Sequence, residues 1–215
     1  DYDLVGFQID HDVENFVSCL RRTGLCRQLG PSTYAMGPRT FQVGAFPIGI
    51  DTETFAATAI RAEDSALARR MAESLGDRAL VVGVDRLDYS KGIDQRMLAY
   101  ERFLKTQPEM RGEVVYLQVT PKSRSEVPEY ATMQREIAGT AGRINGGYSD
   151  IDWTPIRYLN RTIKHSTLAG LYRMANIGLV TPLRDGMNLV AKEYIAAQDP
   201  QDPGVLVLSQ FAGAA

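Results

Sequence analysis

Short apolar runs alternate with segments of helical periodicity along most of the chain. Five short, mainly apolar runs each have the length of a buried strand: residues 79–84, 114–119, 156–159, 177–181 and 205–208. Between the first two runs, apolar residues recur at helical spacing at Ile93, Met97, Tyr100 and Leu104. The alternation predicts an α/β fold with a parallel, doubly wound sheet, whose ligands are expected beyond the carboxyl ends of the strands.

Several further segments of this regular part are predicted to be helical: residues 52–58, 64–75, 93–105, 166–174, 189–198 and a long helix around Tyr130, Met133 and Ile137. A glycine-rich stretch, residues 142–147, follows that long helix and is predicted to be a loop because glycine is a poor helix former.

The first 50 residues follow a different pattern. Residues 4–8 predict a buried strand, and Asp10 or Asp12 can cap a helix that ends at Gly24. Two short runs with strand-like composition flank Gly37-Pro38, which predicts a β-hairpin. A proline and a glycine within residues 47–51 predict a connector, so we place a domain boundary at about residue 50.

Composition and charge exclude some classes of protein. Hydrophobic residues make up 44% of the 215 residues, charged residues 23%, and the formal net charge is -2. No global attraction to nucleic acid or to a membrane surface is therefore expected, and no run is long enough to span a bilayer. Cys19 and Cys26 form no metal-ligand or disulfide pattern and are interpreted as free, buried thiols. A soluble, cytoplasmic protein is the expectation.

The segment at residues 181–193 is a loop between a predicted strand and a predicted helix. The first N–H groups of such a helix lack partners and carry partial positive charge, which favours phosphate. Gly186 permits close approach of a ligand, Asp185 can bind sugar hydroxyls, and Glu193 lies farther along the helix. The alternative is that this is an ordinary loop of an α/β protein and that Glu193 is a solvated surface charge.

A second loop, at residues 85–92, follows the strand at residues 79–84 in the same way. Arg86 can donate two hydrogen bonds to phosphate oxygens and Lys91 supplies a compact charge, so the pair suits a diphosphate. The alternative is that Arg86 pairs with Asp85 or Asp88 while Lys91 lies in solvent.

Other catalytic chemistry finds little support in the sequence. His11 and His165 are interpreted as surface residues near helix starts rather than as general bases. No isolated carboxylate pair indicates a glycosidase, and no ligand cluster indicates a metal site. The absence of G-x-G-x-x-G after the strand at 79–84 argues against a dehydrogenase.

Four stretches together resemble signatures of the trehalose-6-phosphate synthase family, glycosyltransferase family 20: VDRLDYSKG at 84–92, GRING at 142–146, TPLRDGMNLVAKE at 181–193 and VLVLSQFAGA at 205–214. The resemblance implies a retaining enzyme of the GT-B type with two Rossmann-like domains facing a cleft. Residues 1–50 would be the end of the N-terminal, acceptor-side domain and a linker. Residues 51–215 would be the C-terminal nucleotide-sugar-binding domain, truncated at its C-terminus.

The resemblance also implies roles for individual residues. UDP-glucose would be the donor, with Arg86 and Lys91 stabilising its leaving diphosphate, Asp185 binding glucose hydroxyls and Glu193 binding the ribose. The backbone from Gly186 to Val190 would cradle donor sugar and phosphate, and the donor-binding residues between Asp185 and Glu193 would be Gly186, Met187, Asn188, Leu189, Val190, Ala191 and Lys192.

For the acceptor, D-glucose 6-phosphate, the family resemblance places Arg124 at the 6-phosphate. Ile163 stands where the family uses main chain against the uracil. The departing diphosphate itself would accept the acceptor's proton, and neither a metal nor a cofactor is expected. The product would be α,α-trehalose 6-phosphate.

Parts of the family pattern are not in this sequence. The family's glycine-rich donor loop would precede Asp1 and its C-terminal helices would follow Ala215, so this piece is expected to be inactive by itself. A homo-oligomer, often a tetramer in the family, is expected. The open alternatives are a relative with another acceptor, such as a glucosylglycerol-phosphate synthase or a cyclitol-coupling pseudo-glycosyltransferase, and a non-catalytic sugar-nucleotide-binding module.

Overall fold

The computed structural model describes residues 2–121 and 128–215. The chain forms two compact units, the first spanning Asp1–Gly49 and the second Ile50–Gly213. Their division falls in the predicted connector. That the first unit belongs to an acceptor-side domain stays a prediction.

The first unit is a small mixed sheet with one helix. Its elements are β1 (Leu4–Phe7), α1 (Asp10–Thr23), β2 (Arg27–Gln28), β3 (Thr33–Met36) and β4 (Arg39–Ala45). The strand order is β1-β4-β3-β2, with β1 parallel to β4 and the other pairs antiparallel. Apolar side chains of α1 pack on the sheet around a core of Val17, Tyr34 and Val43. The predicted hairpin is the β3–β4 pair, and Gly24 ends α1 at a φ of 65°.

Three expectations for this unit are wrong. The strand β1 is not buried, because it lies at a sheet edge and its residues alternate between exposed and half-buried. Ile9, not Asp10 or Asp12, is the N-cap of α1, and both aspartates lie in the first helical turn, where their charge favours the helix dipole. Cys19 and Cys26 are free but not buried, since the short helix has too small a core to cover them.

The second unit alternates helices and strands. Its elements are α2 (Thr52–Glu63), α3 (Ala66–Leu75), β5 (Ala79–Val84), α4 (Ile93–Thr106), β6 (Val114–Val119), α5 (Pro128–Tyr148), β7 (Ile156–Leu159), α6 (His165–Met174), β8 (Ile177–Val180), α7 (Leu189–Ala197) and β9 (Val205–Leu208), with 3-10 turns at Tyr89–Lys91 and Pro108–Met110. No described helix is long and apolar enough to cross a bilayer.

Within the described residues the second unit has one parallel sheet, ordered β7-β6-β5-β8-β9. Four of its strands, β5, β6, β7 and β9, begin and end at the predicted residues. The central strands β5 and β6 are buried along nearly their whole length, whereas β9 is partly exposed. One group of helices consists of α4 and α5, which contact each other, and another consists of α2, α6 and α7. The predicted doubly wound α/β fold is confirmed.

The glycine-rich stretch at residues 142–147 is helical, so the predicted loop is wrong. It continues α5 because Ile144 is fully buried and the Asn145 side chain hydrogen-bonds both the N–H and the C=O of Ile156 on β7. Arg143 also donates two hydrogen bonds to Glu101 of α4, at 2.6 and 2.8 Å. These tertiary contacts outweigh the low helix propensity of glycine, about 1 kcal/mol per residue relative to alanine.

The first helix of the second unit is longer than predicted. Asp51 caps α2 by accepting a hydrogen bond from the Thr54 N–H at 3.0 Å. The helix continues past residue 58 because Ala59 and Ala62 are buried, and Ala62 packs closely over Gly170 of α6. Small residues on both helices therefore allow the contact that extends α2.

Candidate functional site

The two loops predicted to bind phosphate lie side by side at the carboxyl ends of neighbouring strands. Strands β5 and β8 pair in parallel, so the loops that follow them emerge at the same sheet edge. The carbonyl oxygen of Ser90 in the first loop accepts hydrogen bonds from the N–H groups of Leu183, at 2.8 Å, and Arg184, at 3.2 Å, in the second. Main-chain hydrogen bonds thus join the loops directly.

Gly92 makes this close approach possible. Its φ is +61°, a left-handed conformation that glycine adopts without strain. A Cβ atom built at this position would lie 3.1 Å from Leu183 Cγ and 3.3 Å from the Thr181 carbonyl oxygen. A larger residue would be strained and would push the two loops apart.

The first loop is organised by Asp88, which caps the 3-10 turn. Its carboxylate accepts hydrogen bonds from Ser90 N and Ser90 Oγ, both at 2.9 Å. Partial burial opposes ionisation, but these bonds and the nearby charges of Arg86 and Lys91 outweigh it and lower the pKa of Asp88. Arg86 Nη2 lies 3.6 Å from Asp88 Oδ2, so the two side chains form an ion pair, as the alternative for this loop predicted, but no hydrogen bond, and the Arg86 side chain is 62% exposed. Arg86 is thus available to a ligand.

Lys91 and Asp185 form an ion pair that connects the two loops. The Lys91 Nζ donates to Asp185 Oδ2, and the two side chains are only 12% and 17% exposed. The alternative that Lys91 lies in solvent is therefore wrong. The pair places the Lys91 ammonium beside Asp185, the candidate for binding sugar hydroxyls.

Asn188 begins α7 in an unusual conformation. Its φ of 90° and ψ of 93° make it the one non-glycine residue with positive φ among residues 2–121 and 128–215. Its Oδ1 accepts from Ala191 N at 3.1 Å, and its Nδ2 donates to Asp185 Oδ2 at 3.0 Å. A strained residue that both caps the helix and holds Asp185 is typical of a functional site.

Glu193 is largely shielded, so the alternative that it is a solvated surface charge is wrong. Its side chain is 15% exposed, and its Oε1 lies 3.1 Å from Nε2 of His165 at the start of α6. His165 itself is 64% exposed, which agrees with its interpretation as a helix-start surface residue.

The remaining predicted residues fall into two groups. Within the second loop and α7, Gly186 faces open space, Met187, Asn188 and Ala191 are buried, and the side chains of Leu189, Val190 and Lys192 are half-buried. These positions lie around the N-terminus of α7, where main-chain N–H groups are available. No described hydrogen bond or ion pair links Ile163 to the two loops.

Ile163 follows β7 and lines a separate cavity of about 450 Å³, together with residues of α3 and α6. Arg124 lies outside the described residues. No group of three or more potential metal ligands occurs in the part of the chain that the structure describes.

Sequence reasoning missed the residue beneath the loops, Arg96. Its guanidinium forms a buried ion pair with Asp85, which the sequence had offered only as a partner for Arg86. Burial raises the pKa of the Asp85 carboxyl, and the Arg96 charge opposes that rise. The burial of Arg96 could have been predicted, because this residue lies next to Met97 and four residues before Tyr100, on the buried face of α4.

Fold and loop geometry define a Rossmann-like α/β domain whose candidate ligand site lies at the carboxyl edge of a parallel sheet. The chain belongs to glycosyltransferase family 20, whose family model matches residues 1–215. The GT-B fold class that the sequence predicted is confirmed by structural neighbours of that family.

Three relatives illustrate the similarity. A trehalose-6-phosphate synthase of Sinorhizobium fredii (strain NBRC 101917 / NGR234) is 58% identical over 214 residues, which are 100% of this chain and 46% of that relative. A UDP-forming alpha,alpha-trehalose-phosphate synthase of Burkholderia xenovorans, solved with glucose-6-phosphate, matches with a TM-score of 0.95 and 44% identity, over 99% of this chain and 48% of its own. An E. coli protein solved with UDP-2-fluoro glucose matches with a TM-score of 0.93 and 42% identity, over 100% and 47%. The chain thus spans about half the length of its relatives.

Proposed function

We propose that the complete protein is a retaining glucosyltransferase that converts UDP-glucose and D-glucose 6-phosphate into α,α-trehalose 6-phosphate and UDP. Membership of the family supports the reaction class. The relatives solved with glucose-6-phosphate and with UDP-2-fluoro glucose support the acceptor and the donor.

The observation that carries the proposal is the Lys91–Asp185 pair beside the start of α7. A donor diphosphate would pair with the Lys91 ammonium in place of Asp185. Its oxygens would also accept hydrogen bonds from the free N–H groups at the start of the helix. Released from Lys91, Asp185 would accept hydrogen bonds from glucose hydroxyls while Asn188 Nδ2 still donates to its Oδ2, the oxygen that Lys91 also contacts. This single change of partners would thus allow both the diphosphate and the glucose of the donor to bind.

Arg86 would complete the diphosphate site. Its side chain is mostly exposed and lies beyond hydrogen-bond distance of Asp88, so it can move onto phosphate oxygens at little cost. Two cations on the leaving group stabilise the charge that builds up as it departs.

The transfer reaction needs no reactant beyond the two substrates. The bond between glucose C1 and the diphosphate oxygen breaks, and the acceptor hydroxyl oxygen forms a new bond to C1 on the same face. The acceptor's proton passes to the departing diphosphate. The role of the protein is then to position both substrates and to stabilise charge, and we propose no metal or cofactor.

Contacts farther from the reacting atoms remain part of the proposal. Glu193, shielded near His165, would accept the ribose hydroxyls. The main chain at Ile163 would face the uracil, and Arg124 would bind the acceptor's 6-phosphate. A homo-oligomer and a cytoplasmic location also stay predictions.

A product assay on the complete protein tests the proposal. UDP-glucose with glucose 6-phosphate should yield UDP and trehalose 6-phosphate, and Lys91→Met should lower kcat/KM by about 100-fold or more if it removes a charge that stabilises the leaving group. Lys105→Met, at an exposed position in the last turn of α4, is the matched control and should leave the rate unchanged.

Three other outcomes would contradict this proposal. A product formed only with glycerol 3-phosphate or a cyclitol phosphate would assign another acceptor. Binding of UDP without turnover by the complete protein would indicate a non-catalytic module. Equal effects of the two lysine substitutions would remove Lys91 from the site.

A further inference from the structure

Arg96 is a buried cation whose hydrogen bonds reach four residues in three segments of the second unit, the two loops and β6. The side chain is 1% exposed. Its Nε donates to Thr181 Oγ1 at 2.8 Å, directly after β8, and its Nη2 donates to the Lys91 carbonyl oxygen at 3.2 Å. Its Nη1 donates to Asp85, directly after β5, and to Gln118 Oε1 on β6 at 3.1 Å. One side chain therefore contacts both loops of the candidate site.

The sheet leaves space for this cluster at Gly83. A Cβ atom at that position would lie 2.7 Å from Gln118 Oε1, 3.0 Å from the Tyr116 hydroxyl and 3.1 Å from Arg96 Nη1. The Tyr116 hydroxyl in turn donates to Gln118 Oε1. A glycine within a central strand thus provides the room that buried polar groups need beneath the loops.

We propose that Arg96 is a positioning residue, which holds the loop of Lys91 and the loop after Thr181 at the separation that binds one diphosphate. The inference rests on the proposed function. The guanidinium is planar and rigid, so the bonds from its Nε and Nη2 fix the distance between their two acceptors. A site whose parts are held in place before binding loses less free energy when the ligand arrives.

A role in stability alone explains the arrangement less well. A buried ion pair can often be replaced by apolar residues of similar volume without loss of stability. The bonds to Thr181 and to the Lys91 carbonyl are additional to the pair with Asp85, so neutralising the Asp85 charge does not by itself account for them. Their consequence is to connect α4 to both loops.

The test compares two Thr→Val substitutions in the complete protein. Thr181→Val removes the bond from Arg96 to the end of β8 while Arg96 and Asp85 stay intact. Thr140→Val is the matched control: Thr140 Oγ1 also bonds a side chain of α4, donating to Asp94 Oδ1 at 2.7 Å, and it is half-buried like Thr181. Each variant loses one hydrogen bond to α4, but only the bond of Thr181 connects α4 to the loops.

Two measurements separate positioning from stability. Calorimetric titration gives the dissociation constant for UDP, which Thr181→Val should raise by about tenfold, because small misplacements of binding groups are costly. Hydrogen exchange reports the amides of Leu183 and Arg184, which donate to Ser90 across the loops. Their exchange should be about fivefold or more faster in Thr181→Val, since losing the bond frees the loops to separate.

Thr140→Val should leave both quantities within about twofold of the wild type, with a similar decrease in Tm for both variants. If Thr181→Val behaves like Thr140→Val in either measurement while the wild type binds UDP, the inference is wrong and the proposed function stands. If the wild type itself does not bind UDP, the proposed function fails and the inference with it.

Discussion

Two of the ion pairs in the candidate site differ in depth, and the difference separates structure from ligand binding. The Arg96–Asp85 pair has side chains 1% and 2% exposed, whereas the Lys91–Asp185 pair above it has side chains 12% and 17% exposed. The inner pair is enclosed by further hydrogen bonds, and the outer pair lies where a ligand can reach it. The inner pair therefore fixes the loops, while the outer pair can exchange partners.

The largest effect is expected from breaking the inner pair. Arg96→Met would leave the Asp85 carboxylate buried without its cation, which should lower the free energy of unfolding by about 3–5 kcal/mol. Chemical denaturation of the complete protein measures this change. Asp152→Ala, which breaks the partly exposed pair of Asp152 with Arg78, is the control and should cost less than about 1 kcal/mol.

Adding Asp85→Asn to Arg96→Met sharpens that prediction. The neutral amide removes the uncompensated charge, so much of the lost stability should return. A double variant as unstable as Arg96→Met would show that the loss arises from packing rather than from charge.

The next effect concerns the strained residue that holds Asp185. Asn188→Ala should lower the free energy of unfolding by about 1–2 kcal/mol, because it removes the cap of α7 and retains an unfavourable positive φ. Asn188→Gly also removes the cap but tolerates the conformation, so it should be less destabilising. The reverse order in thermal or chemical unfolding would contradict the strain assigned to this position.

Breaking the outer pair should change stability little. Lys91→Met leaves the Asp185 side chain, which is 17% exposed, still hydrogen-bonded to Asn188, so the loss should be about 1 kcal/mol and well below that of Arg96→Met. Unfolding by denaturant measures it. A loss as large as that of Arg96→Met would mean that Lys91 is a structural residue.

The smallest effect is a dependence on pH. The pKa of Asp88 is lowered from 3.8 in the folded protein, so its ionised form contributes stability above that value, and the contribution is lost as the pH falls through the lower folded pKa. The stability difference between wild type and Asp88→Asn should therefore shrink between about pH 5 and pH 3. A stability difference that stays constant over this pH range would contradict a stabilising role for the ionised Asp88 carboxylate.

Much of the second unit could be predicted from sequence because its strands are short, mainly apolar runs that alternate with helical segments. These runs mark β5, β6, β7 and β9 directly, and the alternation indicates the parallel sheet. The helix through residues 142–147 could not be predicted, since it depends on contacts of Ile144 and Asn145 with other elements.

The site was predictable in its two loops but not in its connections. Position after a strand identified Arg86, Lys91 and Asp185, whereas the direct pairing of Lys91 with Asp185 depends on β5 and β8 being neighbours. The pairing of Asp85 with Arg96 joins a loop to a helix face across the sheet, and no spacing in the sequence encodes it.

The most direct measurement of the central claim is a calorimetric titration of the complete protein with UDP, comparing wild type, Lys91→Met and Lys105→Met. If the two loops form the diphosphate site, wild type and Lys105→Met bind UDP with equal affinity, and Lys91→Met binds at least about tenfold more weakly, as expected for a lost hydrogen bond between charged groups. Equal UDP affinity in all three proteins would contradict the two-loop site.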